Sequence, residues 1–400
     1  MEGTLGVCIQ GSHPSLQIEN ALDSNMVKVL KSAQIKTESH HSLNSIVKHP
    51  LLNQKHLKQK TQSHVSNVEF HKIQNFIQGE EVGTQIIPNC GSCKCSKCPL
   101  PGHTYSFQEE SELKLIQDNL QYDEENNCWI TKYPWKCDPN SLPDNKSAAL
   151  STLFKLEKRL NKDENLKVIY QEQMQDMLNR NVAREIDKDE LKDYKGPYYY
   201  ISHLGVPNPR SKSTPYRIVF NSSQLFKGIS LNNFLFKGPD AYLNNQLGIL
   251  MRWREEKEAI VSDIKKMYNS VHLDIEAQHC HRFLWRLDYS TEPKTYCITR
   301  VNMGDKPAGA ISSEALYKTA DMFSHCHPRA AILLKSGSYV DDLMDSVPTK
   351  DEALNLSQTT EEILAKGGFR VKFWLFTGSH IEDEGGIVLV LIILSDYQDL

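Results

Sequence analysis

Four hundred residues with a formal charge of −4, 24% charged and 39% hydrophobic, provide for two or three domains with a full core and exclude a wholly disordered chain. The slightly acidic balance excludes a uniformly basic nucleic-acid binder, so any polyanion must be met by a local basic groove. Ten cysteines, no signal-peptide pattern and no apolar run of bilayer length point to a reducing intracellular setting, the cytoplasm, with no membrane partner.

Residues 1–19 open with a short β-prone run and turn. Residues 20–84 are polar, and their histidines, among them His40, His41, His49, His56, His64 and His71, lack metal-ligand spacing with cysteines. This segment is expected to be a partly disordered, solvated linker. In the Cys-rich patch 85–105, Cys90, Cys93, Cys95 and Cys98 form two CxxC pairs, with His103 nearby. Four thiolates can surround a tetrahedral Zn²⁺, or three of them with His103; a Cys-rich loop without metal is the alternative.

Residues 106–190 read as helical: one amphipathic helix over 107–120, then two over 147–178 broken near 162–165, with a β-prone aromatic stretch around Trp129 between them. A strand over 197–207, a polar turn over 208–214 and a strand over 216–220 make a hairpin carrying Arg210, Lys212 and Arg217. Such cations suit a triphosphate whose leaving group gathers charge; solvated surface cations of an ordinary hairpin are the plainer alternative. Residues 231–253 read as mostly helical on the stripe Leu243, Leu247, Leu250 and Met251. The next apolar run ends at Asp263. Strands over 282–287 and 295–301 follow, then the Gly-containing turn 302–309 and a helix over 311–323.

Ser338-Tyr339-Val340-Asp341-Asp342-Leu343-Met344-Asp345-Ser346-Val347 is two β-prone runs meeting at adjacent carboxylates. Taken as a hairpin, it leaves Asp341 and Asp342 at the tip, with Val340 and the side chains flanking the turn on opposite faces; an ordinary Asp-containing turn is the plainer alternative. Asp263 offers a third carboxylate. Hard divalent cations take such oxygen ligands together with substrate phosphates, and two ions can clamp an in-line phosphoryl displacement. Beyond the hairpin, residues 351–366 read as a helix capped by Gly367-Gly368, and 369–374 as a last strand.

Tyr339-Val340-Asp341-Asp342 resembles the YxDD motif of reverse transcriptases, and Ser262-Asp263-Ile264-Lys265-Lys266-Met267-Tyr268 resembles their first catalytic motif. With Gly228-Ile229-Ser230-Leu231-Asn232, Arg282-Phe283-Leu284-Trp285 and Gly367-Gly368-Phe369 in the same order, residues 88–380 resemble the pol region of BEL/Pao-type retrotransposons. The resemblance implies an α+β right-hand polymerase, fingers and palm over 191–380, that adds deoxynucleotides to a primer on an RNA or DNA template.

It implies that Asp263, Asp341 and Asp342 hold two Mg²⁺ ions with help from the Ile264 carbonyl. Arg217 and Arg210 would meet the triphosphate, Tyr268 would lie beneath the sugar (a core tyrosine is the alternative), Gly304 would let backbone approach the nucleotide, and Lys372 would protonate pyrophosphate. Asn221 and Met303 depart from the residues common elsewhere, Asp and a nucleotide-contacting Gln. Residues 1–19 resemble the tail of an aspartic protease, but no Asp-Thr/Ser-Gly triplet occurs, so no proteolysis is expected. The resemblance stops near His380; 381–400 reads as unrelated sequence, and the thumb and RNase H of such elements are expected to be missing. The rival of another class is a catalytically inactive remnant serving as a nucleic-acid or protein-binding module.

Overall fold

A computed structural model describes residues 105–208, 216–239 and 244–378. Helix α1 (Phe107–Asn119) begins at a capping box in which Ser106 Oγ accepts the Glu109 N–H and Glu109 accepts the Ser106 N–H. It runs directly into β1 (Leu120–Asp123), which pairs antiparallel with β2 (Cys128–Thr131) across a turn closed by Asn126 and by Asn127 at φ 49°. Helices α2 (Lys146–Leu160) and α3 (Glu164–Asn179) are parted where Asp163 stops one and caps the other by accepting the Leu166 N–H. Strand β3 (Ala183–Glu185) and helix α4 (Lys188–Asp193) lead to the hairpin of β4 (Ser202–Pro207) and β5 (Tyr216–Asn221).

The remainder alternates short strands and helices: α5 (Gln246–Arg252), β6 (Glu258–Ile264), β7 (Val271–Leu273), α6 (Ile275–His279), β8 (Arg282–Trp285), β9 (Lys294–Ile298), α7 (Ala308–Phe323), α8 (Pro328–Ser336), β10 (Ser338–Tyr339), β11 (Asp342–Val347), α9 (Lys350–Lys366) and β12 (Val371–Phe376). The described strands form four sheets, ordered β1-β2-β7, β3-β9-β8, β4-β5 and β10-β11-β6-β12. The architecture is α+β, and among the described residues no helix is long and apolar enough to cross a membrane.

The four-stranded antiparallel sheet carries the acidic residues. Alternation along β6 puts Ile260, Ser262 and Ile264 on one face, fully buried, and leaves Asp263 half-buried on the other. Helices α8 and α9 pack against this sheet and α7 packs against both helices. Burial of Leu333, Leu334, Ile363 and Leu364 beside Leu343 and Val347 supplies the apolar driving force. Helix α9 ends in a Schellman motif: Gly368 takes φ 78°, its N–H donates to the Ala365 carbonyl, and the Phe369 N–H donates to the Leu364 carbonyl. Phe369 is thereby turned into the core, 1% exposed, and the chain re-enters the sheet as β12.

Three expectations need correction. The stretch 231–253 is not one helix but a 3-10 turn (Leu231–Phe234), an extended passage and α5. Gly238 at φ 80° stands where a Cβ would lie 2.6 Å from Ala310, and Pro239 follows, so helix cannot run through. Val340 does not lie in a strand; it is a turn residue at φ 56°, so the tip is Val340-Asp341 rather than Asp341-Asp342, and Asp342 already belongs to β11. The C-terminal strand begins at Val371 and carries an irregularity before Phe373. Arg210, Lys212, Leu243, the possible zinc ligands Cys90, Cys93, Cys95, Cys98 and His103, and the segments 1–19, 20–84 and 381–400 lie outside the described residues.

Candidate active site

Strand β10 is only two residues long, and Tyr339 pairs with Asp342, so Val340 and Asp341 form a two-residue turn. The first of these positions needs a positive φ, which such turns usually give to glycine. Here a β-branched valine takes it, a conformation costing on the order of 1–3 kcal/mol. The turn is held by the end of β6, where the Ile264 N–H donates to the Asp341 carbonyl at 2.7 Å. Strained backbone at the tip and a hydrogen bond at its base fix the Asp341 position relative to β6.

Register does the rest. Asp342 stands directly opposite Asp263, and opposed residues of an antiparallel pair point to the same face with Cβ atoms about 4.5–5.5 Å apart. On the other side of β6, Phe373 is opposite Asp263 and Lys372 is the extra residue of a bulge. Bulges re-aim side chains, and the Lys372 ammonium lies close enough to Asp263 to favour its ionised form. Burial, and then the Asp341 charge, push the other way, and Asp263 is raised overall. Asp342 is pushed up to about 7, first by burial and then by Asp341 and Asp263.

Like-charged groups on one sheet edge destabilise the fold unless something neutralises them. Among the described residues no three carboxylate, imidazole or thiolate groups converge into a ready-made metal shell. The donor set nevertheless fits Mg²⁺. It is all oxygen, the ligand type a hard divalent cation takes, and Asp263 and Asp342 stand opposite each other in the sheet.

The sign of the linkage follows from Asp342. A carboxyl raised in the folded state gives stability that is full below about pH 4 and is lost as pH rises through about 7. Asp342→Asn is therefore expected to stabilise the metal-free protein at pH 8 by on the order of 2–4 kcal/mol, with little effect at pH 4. Thermal unfolding at both pH values checks this, and an equal shift at both would remove the electrostatic explanation.

Tyr268 follows Asp263 by five residues on a 3-10 turn (Met267–Ser270) entered through Lys266 at φ 51°. Its hydroxyl is raised by burial and then by the Asp341 charge, so it lies within electrostatic reach of Asp341. Asp263, Ile264, Tyr268, Asp341, Asp342 and Lys372 are thus gathered in one region.

Arg217 and Gly304 belong to a second group around β5. Gln173 on α3 accepts the Ile218 N–H and donates to the Tyr216 carbonyl, so the backbone bracketing Arg217 is docked while its side chain is exposed, with no ion pair among the described residues. Gly304 presses against β5, where a Cβ would meet the Phe220 carbonyl at 2.4 Å. The two groups join where Asn269, next to Tyr268, donates to the Val301 carbonyl at 3.2 Å.

The sequence reading missed Asn232, His281 and Asp305, which meet the Gly304 turn from two sides. Asn232 was visible as the last residue of Gly228-Ile229-Ser230-Leu231-Asn232. His281 and Asp305 gave no local signal, because their pairing spans 24 positions of chain.

No family model and no curated protein matches the chain. Among solved structures, a foamy viral protease-reverse transcriptase in complex with double-stranded DNA is similar with a TM-score of 0.36 and 20% sequence identity, covering 49% of this chain and 28% of that one. The match spans under a third of that enzyme, and at this level it carries no weight for fold or function.

Proposed function

We propose that residues 105–378 form the fingers and palm of a template-directed nucleotidyl transferase, an RNA-directed DNA polymerase of BEL/Pao-like retroelement descent. One observation carries the reading: antiparallel register sets Asp342 opposite Asp263, and the Ile264 N–H anchors Asp341 beside them. Motif order in the sequence supports the descent. In the reaction, a primer 3′-hydroxyl attacks the α-phosphorus of a deoxynucleoside triphosphate, the new P–O bond forms as the bond to the β-phosphate oxygen breaks, and pyrophosphate leaves.

Two Mg²⁺ ions held by Asp263, Asp341, Asp342 and the Ile264 carbonyl would supply charge neutralisation at the attacking and leaving oxygens. Asp263 and Asp341 would be its principal carboxylate ligands, and Asp342 would add to the negative charge that holds the cations. Arg217, with Arg210, meets the triphosphate, where a planar guanidinium suits phosphate oxygens. Lys372 donates a proton to the departing pyrophosphate. Tyr268 lies beneath the sugar and closes the space a 2′-hydroxyl needs, and the Gly304 backbone lies against the nucleotide. The setting proposed is intracellular.

Tyr268→Ala is expected to reduce preference for deoxy- over ribonucleotides by at least tenfold, a pocket-filling effect of roughly 1–3 kcal/mol. Single-nucleotide incorporation with each sugar checks it, and unchanged selectivity would remove the gate. The function itself is tested by offering a primer on an RNA template with one deoxynucleotide at a time. Incorporation only of the complementary base supports the proposal; untemplated addition, or binding without extension, supports the inactive binding module instead.

A further inference from the structure

The turn at Gly304 is held far more tightly than an exposed loop needs. On its inner side Asp305 is 5% exposed, and its carboxylate gathers donors from four segments of chain. Tyr133 and Ser222 donate hydroxyls to it. The Asn302 N–H donates at 3.2 Å and the Asn302 amide at 3.1 Å. His281 Nε2 stands 3.1 Å from Oδ2.

His281 Nδ1 is 2.7 Å from the Ala277 carbonyl and must donate to it. Nε2 faces the Asp305 carboxylate without meeting hydrogen-bond geometry, so the two form an ion pair only when the imidazole carries its second proton. Burial alone would lower the His281 pKa, but the nearby Asp305 carboxylate outweighs it and the pKa is raised. Burial likewise opposes ionisation of Asp305, yet His281, Ser222 and Tyr133 hold it below its ordinary range. A fully buried ion pair is costly to desolvate and is weak evidence of stabilisation for its own sake.

On the outer side, Asn232 reads the same turn as a second strand would. Its Oδ1 accepts the Lys306 N–H at 2.8 Å and its Nδ2 donates to the Gly304 carbonyl at 2.9 Å. Between these clamps Met303 is 69% exposed while Asn302 is 8% exposed. A rigid backbone holding an adaptable thioether out in water is the form of a contact surface. Val301, just before the turn, is tied to Asn269, the sequence neighbour of Tyr268.

We propose that Asn232, Asp305 and His281 are positioning residues that lock the 302–305 turn as a rigid nucleotide-facing shelf. The proposal rests on the polymerase reading and assigns a task to the segment ending at Asn232. Its test uses Asn232→Asp, isosteric and only half-buried, beside Asp305→Asn, in the full chain. Asn232→Asp turns the donor at Gly304 into an acceptor, and Asp305→Asn opposes an amide to several donors.

Both are expected to raise KM for the deoxynucleotide on the order of tenfold or more. Primer-template affinity is expected to stay within twofold, and amide exchange over residues 302–306 to quicken at least tenfold. For Asn232→Asp the thermal midpoint stays near that of the wild type, which separates positioning from unfolding. Faster exchange with unchanged KM in an active protein overturns the shelf, and unchanged exchange overturns the lock. A wild type that never extends a primer sinks the polymerase reading and the nucleotide-facing role with it, while the exchange result still decides whether the clamps hold the turn.

Discussion

Asp341→Asn is expected to lower primer extension by on the order of a thousandfold or more while leaving the fold intact. The substitution conserves volume and removes one negative charge from the point where a divalent pair would be held. Several kcal/mol of charge stabilisation in the transition state are then lost, at about 1.36 kcal/mol for each factor of ten. The fold should survive because the turn depends on backbone: the Ile264 N–H binds the Asp341 carbonyl, which asparagine retains. Removing a like charge also relieves Asp263 and Asp342, both raised in part by Asp341. Lost extension with an unchanged or higher thermal midpoint is the expected pair of results. Extension at the wild-type rate would remove Asp341 from the mechanism.

Gly304→Ala is expected to have the second largest effect. An added Cβ would stand 2.4 Å from the Phe220 carbonyl and 3.1 Å from the Asn302 amide nitrogen. The nearer neighbour is backbone of β5 and cannot swing aside, so the turn itself must move. Overpacking of this kind costs roughly 1–3 kcal/mol. If the turn faces the nucleotide, a displacement near 1 Å is expected to slow incorporation by on the order of a hundredfold. Thermal unfolding and single-turnover incorporation measure the two effects separately. A destabilised protein that incorporates at the wild-type rate would show that the turn is structural alone.

The legible parts of the fold were those with strong local signals. Asp163 between α2 and α3 and the glycine pair after α9 punctuate helices by capping chemistry that needs no tertiary information. The catalytic-type hairpin was legible because its apolar runs flank adjacent acids, and β6 because its run ends at Asp263. Strands β1, β3 and β7, of 4, 3 and 3 residues, are too short for alternation to register; β7 is defined by its parallel pairing to β2. The apolar spacing over 231–253 suggests helix, but Gly238 and Pro239 interrupt it, and Met251 on that stripe is 51% exposed.

At the site, residue type and order pointed to Asp263, Asp341 and Asp342, but what brings them to one place is register, a long-range property. The valine in a left-handed conformation could not be read from Tyr339-Val340-Asp341-Asp342, since β-branched residues ordinarily avoid it. The bulge at Lys372 depends on how β12 meets β6. The Asp305 and His281 pair depends on folding that carries both charges out of water together. Each of these is a statement about pairs of distant segments, which composition and periodicity do not contain.

The measurement that tests the central claim most directly is electron paramagnetic resonance of Mn²⁺ titrated into the full chain with primer-template and a deoxynucleoside triphosphate, wild type beside Asp341→Asn. The wild type is expected to bind Mn²⁺ at pH 8 and to bind it more weakly at pH 6, because Asp342, at about 7, must shed its proton to serve as a ligand. Asp341→Asn is expected to lose most of that binding. Equal Mn²⁺ binding by both proteins, or none by the folded wild type, would contradict a metal centre built from Asp263, Asp341 and Asp342.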